Sequence, residues 1–166
     1  MRIRKSYICI LLLVNIACYA QQSLRFKRKS VQHGLSQNTV TKICQDRHGF
    51  IWLGTQDGLN RYDGSVFTIY RNIENDSTSL TNNYVISLTA DSSGNIWVGT
   101  TNGLNRIDAD HGLIERIALK HILPNATNYR VFAICPAQNG FVYFSTAYGV
   151  FYADSNNKVH AVPGLD

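Results

Sequence analysis

Residues 35–64 read LSQNTVTKICQDRHGFIWLGTQDGLNRYDG, and the stretch returns at 80–109 as LTNNYVISLTADSSGNIWVGTTNGLNRIDA. Fourteen of the thirty positions are identical, including the blocks IWxGT and GLNRxD. A third, weaker copy, NYRVFAICPAQNGFVYFSTAYGVFYAD, occupies 128–154 and carries Tyr143 and Ser145 in place of the tryptophan and of the glycine before the threonine. Because the copies recur about every 45 residues, each copy is one supersecondary unit of a repeat protein.

Within a copy the pattern predicts short strands joined by tight turns. VTKICQD and VISLTAD alternate apolar and polar residues, as half-buried strands do, and each ends in Asp-x-x-Gly, starting at Asp46 or Asp91. That pattern favours a type I turn in which the aspartate accepts backbone hydrogen bonds. The Asp-Gly and Asn-Gly pairs ending at Gly58 and Gly103 favour a hairpin turn with both central residues at positive φ.

Two further strands, LNRYD or LNRID and then VFTIY or LIERIAL, complete each copy. Four antiparallel strands in about 45 residues are typical of a β-propeller blade. The sequence therefore predicts an all-β fold of about three four-stranded antiparallel blades of an incomplete propeller. We expect a signal peptide, an N-terminal flank with a latch-like strand, two blades, and a degenerate third blade with a truncated end, at 1–20, 21–34, 35–79, 80–125 and 126–166.

The net charge of +5 does not indicate a nucleic-acid partner, because the basic residues are concentrated near the N-terminus. Residues 30–166 contain nine basic and eleven acidic residues. The chain is 45% hydrophobic and 11% aromatic, which is enough apolar material for a core and excludes a disordered protein.

A secretory signal peptide is predicted at the N-terminus. The basic start is followed by the apolar run YICILLLVNIA at 7–17 and by small residues, with cleavage expected after Ala20. Lipid attachment at Cys18 and an uncleaved anchor are the alternatives. Beyond Ala20 no apolar run has the length of a membrane span, so we expect an exported mature chain without one.

The string D-x-x-G-x-I-W-x-G-T-x-x-G-L-N-R-x-D resembles the two-component regulator propeller repeat, found in the exported sensor regions of bacterial hybrid histidine kinases. The opening QHGLSQNTVTKICQDRHGFIWLGTQDGLNRYDG is similar to the start of the first propeller in those sensors, and the resemblance covers roughly residues 24–154. It implies an N-terminal part of a hybrid two-component sensor. In that family a further β-domain, a membrane span and a kinase core follow, and none of these is in this sequence.

The function that the resemblance implies is ligand sensing in the periplasm, upstream of a phosphorelay, with an oligosaccharide or another small molecule as the ligand. The remaining blades and the kinase part would be the partners, and this chain itself would be non-catalytic. An exported propeller scaffold and a fragment of a propeller enzyme are the alternatives. Because three blades cannot close a ring, we expect exposed sheet edges and self-association of the chain alone.

The repeated residues are interpreted as structural, and no residue is assigned to a ligand. The tryptophans are expected in the inter-blade core, and the glycines at backbone positions of special geometry. Each Asn-Arg pair could line the channel, but we favour a repeated hydrogen bond or ion pair with Asp63 or Asp108. The motif consists of Asp46, Gly49, Trp52, Gly54, Thr55, Gly58, Asn60, Arg61, Asp63, Asp91, Gly94, Trp97, Gly99, Thr100, Gly103, Asn105, Arg106 and Asp108.

Cysteine and histidine residues give no sign of a bridge or of a metal. Cys44 and Cys135 occupy the same place in blades one and three, with Thr89 at that place in blade two, so we predict free thiols and no disulfide. The five histidines are scattered without metal-ligand spacing. No catalytic motif is present, and we expect no cofactor and no metal.

Overall fold

The computed structural model describes residues 25–164, so the predicted signal peptide and Cys18 lie outside the described residues. Within residues 25–164, twelve strands form three separate four-stranded sheets, each a sequential antiparallel meander. The first sheet contains β1 to β4, at Val40–Gln45, Ile51–Thr55, Gly58–Tyr62 and Phe67–Tyr70. The second contains β5 to β8, at Val85–Ala90, Asn95–Thr100, Gly103–Asp108 and Ile114–Ile117. The third contains β9 to β12, at Ala133–Pro136, Val142–Thr146, Gly149–Ala153 and Val159–Ala161.

This arrangement confirms the predicted all-β fold of propeller-like sheets. The hydrophobic cores lie between neighbouring sheets: Trp52 and Leu59 of the first sheet pack with Val85 and Ile96 of the second. A second core joins the second and third sheets, with Trp97 among its buried members. Because the middle sheet is covered on both faces, five of the six residues of β6 are buried, and its sequence shows no simple alternation.

The Asp-x-x-Gly turns form as predicted. The Asp46 carboxylate accepts the backbone N–H groups of His48 at 2.9 Å and Phe50 at 3.0 Å, and the N–H of Gly49 donates to the Asp46 carbonyl. Gly49 has a φ of 86°, in the left-handed region, so glycine suits the turn exit. Asp91 accepts the equivalent bonds in the second sheet.

The predicted turn between the second and third strands is wrong by one residue. Thr55 pairs with Gly58, so the two central residues are Gln56 and Asp57, and of these four only Gly58 has a positive φ. The Thr55 hydroxyl accepts the Asp57 N–H at 3.0 Å and donates to the Gly58 carbonyl at 2.9 Å. The Gly58 N–H donates to the Asn83 carbonyl at 2.7 Å, and this bond holds the glycine inside the strand.

The predicted latch-like strand is absent from the described part of the N-terminal flank. Residues 25–30 form no regular element, and Val31–His33 form one 3-10 turn that ends at Gly34. An extended segment becomes a strand only by hydrogen bonding to a neighbouring strand, and no sheet of the described residues pairs with this flank. Across residues 25–164, no helix has the length and apolar character needed to cross a membrane.

Candidate ligand face

The repeated tryptophans are hydrogen-bonded parts of the scaffold. The indole N–H of Trp52, fully buried, donates to the Asp46 carboxylate at 2.7 Å, and Trp97 donates to Asp91 at the same distance. Each aspartate therefore closes its turn with one carboxylate oxygen and anchors the tryptophan with the other. These indoles face the inter-sheet cores and present no ring to a ligand.

The third sheet lacks both members of this pair. Ala137 stands where the aspartate would be, and Tyr143 stands where the tryptophan would be. Both replacements can be seen in the sequence. The repeat pattern, however, predicts the aspartate as a turn residue and the tryptophan as a core residue, and it does not predict a hydrogen bond between them. Because an indole N–H is a donor that needs a partner when buried, the two changes belong together.

The repeated asparagines hold the segment that enters each sheet. Asn60, fully buried, accepts the Ser36 N–H at 2.8 Å and donates to the Ser36 hydroxyl and to the Leu53 carbonyl. Asn105 makes the same bonds around Thr81 in the second sheet. With all its polar atoms engaged, the asparagine side chain is unavailable to a ligand.

The predicted pairing of Arg61 with Asp63 is wrong. The Asp63 carboxylate accepts hydrogen bonds from the backbone of Val66 and from the backbone and hydroxyl of Ser65, which lower its pKa to about 2. These donors lie in the aspartate's own turn, so the local bonds form in preference to the ion pair. The Arg61 guanidinium lies over the Phe50 ring instead, 4.7 Å from its centroid.

The equivalent pairing of Arg106 with Asp108 is also wrong. Arg106 donates to the Asn95 side chain at 2.9 Å and contacts Glu115 at 3.3 Å. Asp108 accepts from the His111 ring at 2.8 Å, a contact that lowers the pKa of Asp108 and raises that of His111. Glu115 lies directly opposite Arg106 on the neighbouring strand β8, and this position explains why Arg106 pairs with Glu115 and not with Asp108.

Most members of the repeated motif are thus buried and serve internal packing and hydrogen bonding. The buried members are Asp46, Trp52, Gly54, Thr55, Gly58, Asn60, Gly94, Trp97, Gly99, Thr100, Gly103 and Asn105. Exposed side chains that differ between copies lie at both ends of the sheets, and one of these ends carries amide and phenol groups. We call it the connection end, because the turns between second and third strands and the connections from sheet to sheet both lie there.

Side chains at the connection end differ in chemistry from sheet to sheet. At one position of the turn stand Asp57, Asn102 and Tyr148, and Tyr148 is 42% exposed. Arg71 pairs with Asp57 at 2.9 Å. Hydrogen bonding with Thr127 lowers the pKa of the Tyr148 hydroxyl. The three copies thus place a carboxylate, an amide and a phenol at equivalent points of a shared scaffold.

A chain of amide and phenol groups crosses from the first to the second sheet at this end. The Gln37 amide donates to Gln56 at 3.4 Å, and the Gln56 amide donates to the Tyr84 hydroxyl at 3.3 Å. Tyr84 is 38% exposed, and both glutamine side chains reach the surface. Hydrogen-bond donors, acceptors and an aromatic ring therefore lie together at the surface of the connection end.

The opposite end carries an ionic cluster that joins the first two sheets. The His48 ring lies 2.7 Å from the Asp110 carboxylate, and Arg47 also pairs with Asp110 and donates to the Ser93 carbonyl at 3.1 Å. These contacts lower the pKa of Asp110. The sequence pattern gives no sign of this cluster, because the partners are more than sixty positions apart.

Cys44 and Cys135, the two cysteines of the described residues, are free thiols. Burial and the neighbouring Asp46 carboxylate raise the pKa of Cys44 to about 12, so its thiol is unreactive. Among residues 25–164 no group of three or more histidine, cysteine, aspartate or glutamate side chains is placed to hold a metal ion.

A sequence profile described as two-component regulator propeller matches residues 34–57 and 79–102. These two segments are two-component regulator propeller repeats. Each match runs from the entry segment through the first two strands to the turn after them, so it includes the Asp–Trp pair and the Gly-Thr block.

The chain is similar in sequence to part of a histidine kinase and in fold to extracellular domains of bacterial two-component systems. The chain is 52% identical over 56 residues to Histidine kinase P4 of Formosa agariphila, a match that covers 34% of this chain and 4% of that protein. An extracellular domain assigned to a hybrid two-component system of B. thetaiotaomicron shares the fold, with a TM-score of 0.68 at 19% identity over 87% of this chain and 19% of that one.

The same fold occurs in virginiamycin B lyase from Staphylococcus aureus, with a TM-score of 0.54 at 17% identity over 73% of this chain and 40% of that one. The propeller-like architecture is therefore shared by sensor domains and by an enzyme. The chain spans only a small part of the curated relative it matches.

Proposed function

We propose that this chain forms part of a ligand-sensing propeller in the extracytoplasmic region of a two-component sensor. The observation that carries the proposal is the division of the repeat between a constant buried scaffold and exposed residues that vary, among them the amides and phenols of the connection end. The side chains of Asp46, Trp52 and Asn60 form hydrogen bonds within the protein. Tyr84 and Tyr148, in contrast, are exposed at the connection end. The repeat family and the sensor-domain fold support the same function.

The ligand that best fits the connection end is an oligosaccharide. The amides of Gln37 and Gln56 offer donors and acceptors, and the two exposed tyrosines offer ring faces. The predicted signal peptide at 1–20 supports a periplasmic location. Occupancy would be relayed to a kinase by a shift between two arrangements of the sensor, which requires that the ligand bind one arrangement more tightly than the other.

Isothermal titration of the full chain with a panel of neutral and acidic oligosaccharides tests the proposal. We expect binding of at least one class, and we expect Tyr84→Ala or Tyr148→Ala to weaken it about tenfold, the effect of losing about 1.4 kcal/mol of stacking. His111→Ala, at the opposite end, is the matched control and should leave binding unchanged. No binding, or equal binding by the tyrosine variants, would refute the proposal.

The alternatives of a scaffold and of a propeller enzyme differ from the sensor in the coding sequence downstream of the repeats. Sequencing of the adjoining DNA separates them. An in-frame membrane span followed by kinase motifs supports the sensor. A stop codon after further repeats favours the scaffold, and a metal- or quinone-binding set favours the enzyme.

A further inference from the structure

Neighbouring sheets are held in register by a valine that fits against a glycine. A Cβ atom added to Gly54 would lie 2.5 Å from Cγ1 of Val85, and one added to Gly99 would lie 2.8 Å from Cγ1 of Val131. Both valines are fully buried. We call the glycine the socket and the valine the knob, because only the absence of a side chain at the glycine lets the sheets approach this closely.

A hydrogen bond fixes each knob in its socket. The Thr41 hydroxyl of the first sheet donates to the Val85 carbonyl at 2.8 Å, and the Ser87 hydroxyl of the second sheet donates to the Val131 carbonyl at 3.0 Å. The backbone at the knob would otherwise lose water on burial without compensation. The valine and the glycine of the contact are therefore the same in both places. The hydroxyl comes from the bulge residue Thr41 in the first contact and from Ser87, the strand partner of Gly99, in the second.

The first sheet carries a knob that has no socket among the described residues. Val40 stands at the register of Val85, pairing with Thr55 as Val85 pairs with Thr100. Val40 is 40% exposed, and Ile43 on the same strand is 64% exposed. The first strand of this sheet thus presents apolar side chains to solvent, whereas every residue of the equivalent strand of the second sheet is buried or half-buried.

The third sheet carries a filled socket. Ser145 pairs with Val150, as Gly54 pairs with Leu59 and Gly99 with Leu104, so it occupies the socket position with a side chain. A valine seated there as in the other two contacts would overlap the serine Cβ. The two open faces of the described part, that of Val40 and that of Ser145, do not fit each other.

We propose that the open face of the first sheet, the Val40 face, is a docking surface for a further propeller sheet with glycine at the socket position. We also infer that Ser145 prevents a second copy of this chain from taking that place. The contacts of Val85 with Gly54 and of Val131 with Gly99 indicate what this surface binds. Val40 is the equivalent valine of the first sheet, so its partner should be a sheet with glycine at the socket position. On this proposal, the self-association expected of the chain alone would not use these two faces.

A mixing experiment tests the proposal with the full chain. The double variant Val40→Asp/Ser145→Gly has an empty socket and no knob of its own, so it can only receive the Val40 knob of the wild-type chain. We expect it to form a one-to-one complex with labelled wild-type chain in analytical ultracentrifugation. The matched control Val40→Asp/Ser145→Ala keeps a Cβ in the socket and should bind at least tenfold more weakly.

Three results would overturn the proposal. The first is that the two double variants bind the wild-type chain equally well. The second is that the glycine variant is folded, as judged by circular dichroism, but forms no complex. The third is that the wild-type chain self-associates and that Val40→Asp abolishes this association. A second measurement covers failure of the glycine variant to fold. Gly54→Ser places a side chain in the socket inside the chain, where the nearest atom is Cγ1 of Val85, and should lower the melting temperature. An unchanged melting temperature would refute the knob-and-socket rule.

Discussion

The Trp52 indole and the Asp46 carboxylate, six positions apart on consecutive parts of a hairpin, are joined by a 2.7 Å hydrogen bond inside the core between the first two sheets. The carboxylate is buried and also accepts two backbone N–H groups. One side chain thus links the conformation of a turn to the packing of an inter-sheet core. The pair explains why the repeat keeps the aspartate and the tryptophan together.

Replacing Asp46 by alanine should destabilise the chain strongly. The change leaves the buried indole N–H without an acceptor, and a hydrogen bond to a charged group contributes about 1.5–3 kcal/mol. Urea unfolding followed by circular dichroism measures the loss in the free energy of unfolding. Asp46→Asn, which keeps one acceptor oxygen, should lose less, and an alanine variant as stable as wild type would contradict the role assigned to the pair.

The equivalent pair of the second sheet should behave as a coupled unit. Asp91→Ala and Trp97→Tyr introduce the residues of the third sheet. We expect the loss in the free energy of unfolding of the double variant to be smaller than the sum of the losses of the two single variants. The reason is that removing the indole also removes the group left unpaired by the loss of the carboxylate. A double-mutant cycle should give a coupling free energy of about 0.5–3 kcal/mol, and additive losses would disprove the coupling.

The sequence predicted the strands, the number of sheets and the Asp-x-x-Gly turns, because these depend on local pattern and on the repeat. Contacts between side chains were predicted less well. Arg61 and Asp63 are close in sequence and of opposite charge, yet the aspartate bonds to its own turn. An ion pair in a strand competes with backbone donors nearby, and the sequence does not show which of them the carboxylate reaches.

The side-chain contacts at the connection end could not be predicted from the sequence for a different reason. Gln56 and Tyr84 meet only because the sheets stack in a particular register. That register depends on the depth to which Val85 enters the Gly54 socket, a contact that no pattern within one repeat specifies. The pairing of His48 with Asp110 has the same origin, since it spans two sheets at the opposite end.

The socket glycines should not tolerate even a methyl group. Gly54→Ala places a Cβ against Val85, and overpacking of a well-packed core costs about 1–3 kcal/mol. Thermal and urea unfolding of the variant should both show the loss. Ser145→Ala is the matched control, because that position already carries a Cβ, and it should unfold like the wild-type chain. Equal stability of the two variants would contradict the role of the socket.

The two thiols of the described chain should differ sharply in reactivity. With its pKa raised to about 12 by burial and by Asp46, Cys44 has almost no thiolate at about pH 8, whereas Cys135 is exposed. Iodoacetamide labelling followed by peptide mass spectrometry should modify Cys135 and leave Cys44 unmodified. In denaturant both should react. Equal labelling in the native chain would contradict the burial of Cys44.

Acid should weaken the turn between β3 and β4 through Asp63. Hydrogen bonds from the backbone of Val66 and Ser65 lower the folded-state pKa of Asp63 to about 2, compared with about 3.9 for an unfolded aspartate. A lowered folded-state pKa means that the unfolded chain binds the proton more tightly. The stabilisation by Asp63 is therefore fully present above about pH 4 and is lost as the pH falls through the folded-state value.

Comparison of the wild-type chain with Asp63→Asn tests this dependence. The variant cannot lose a charge, so the difference in free energy of unfolding between the two proteins should be constant above about pH 4 and should shrink toward about pH 2. Asp76→Asn provides a parallel case, because hydrogen bonds from Thr78 lower the pKa of Asp76 in the same direction. A difference that stays constant from about pH 5 to about pH 2 would mean that the Asp63 carboxylate is not held by its turn in the folded chain.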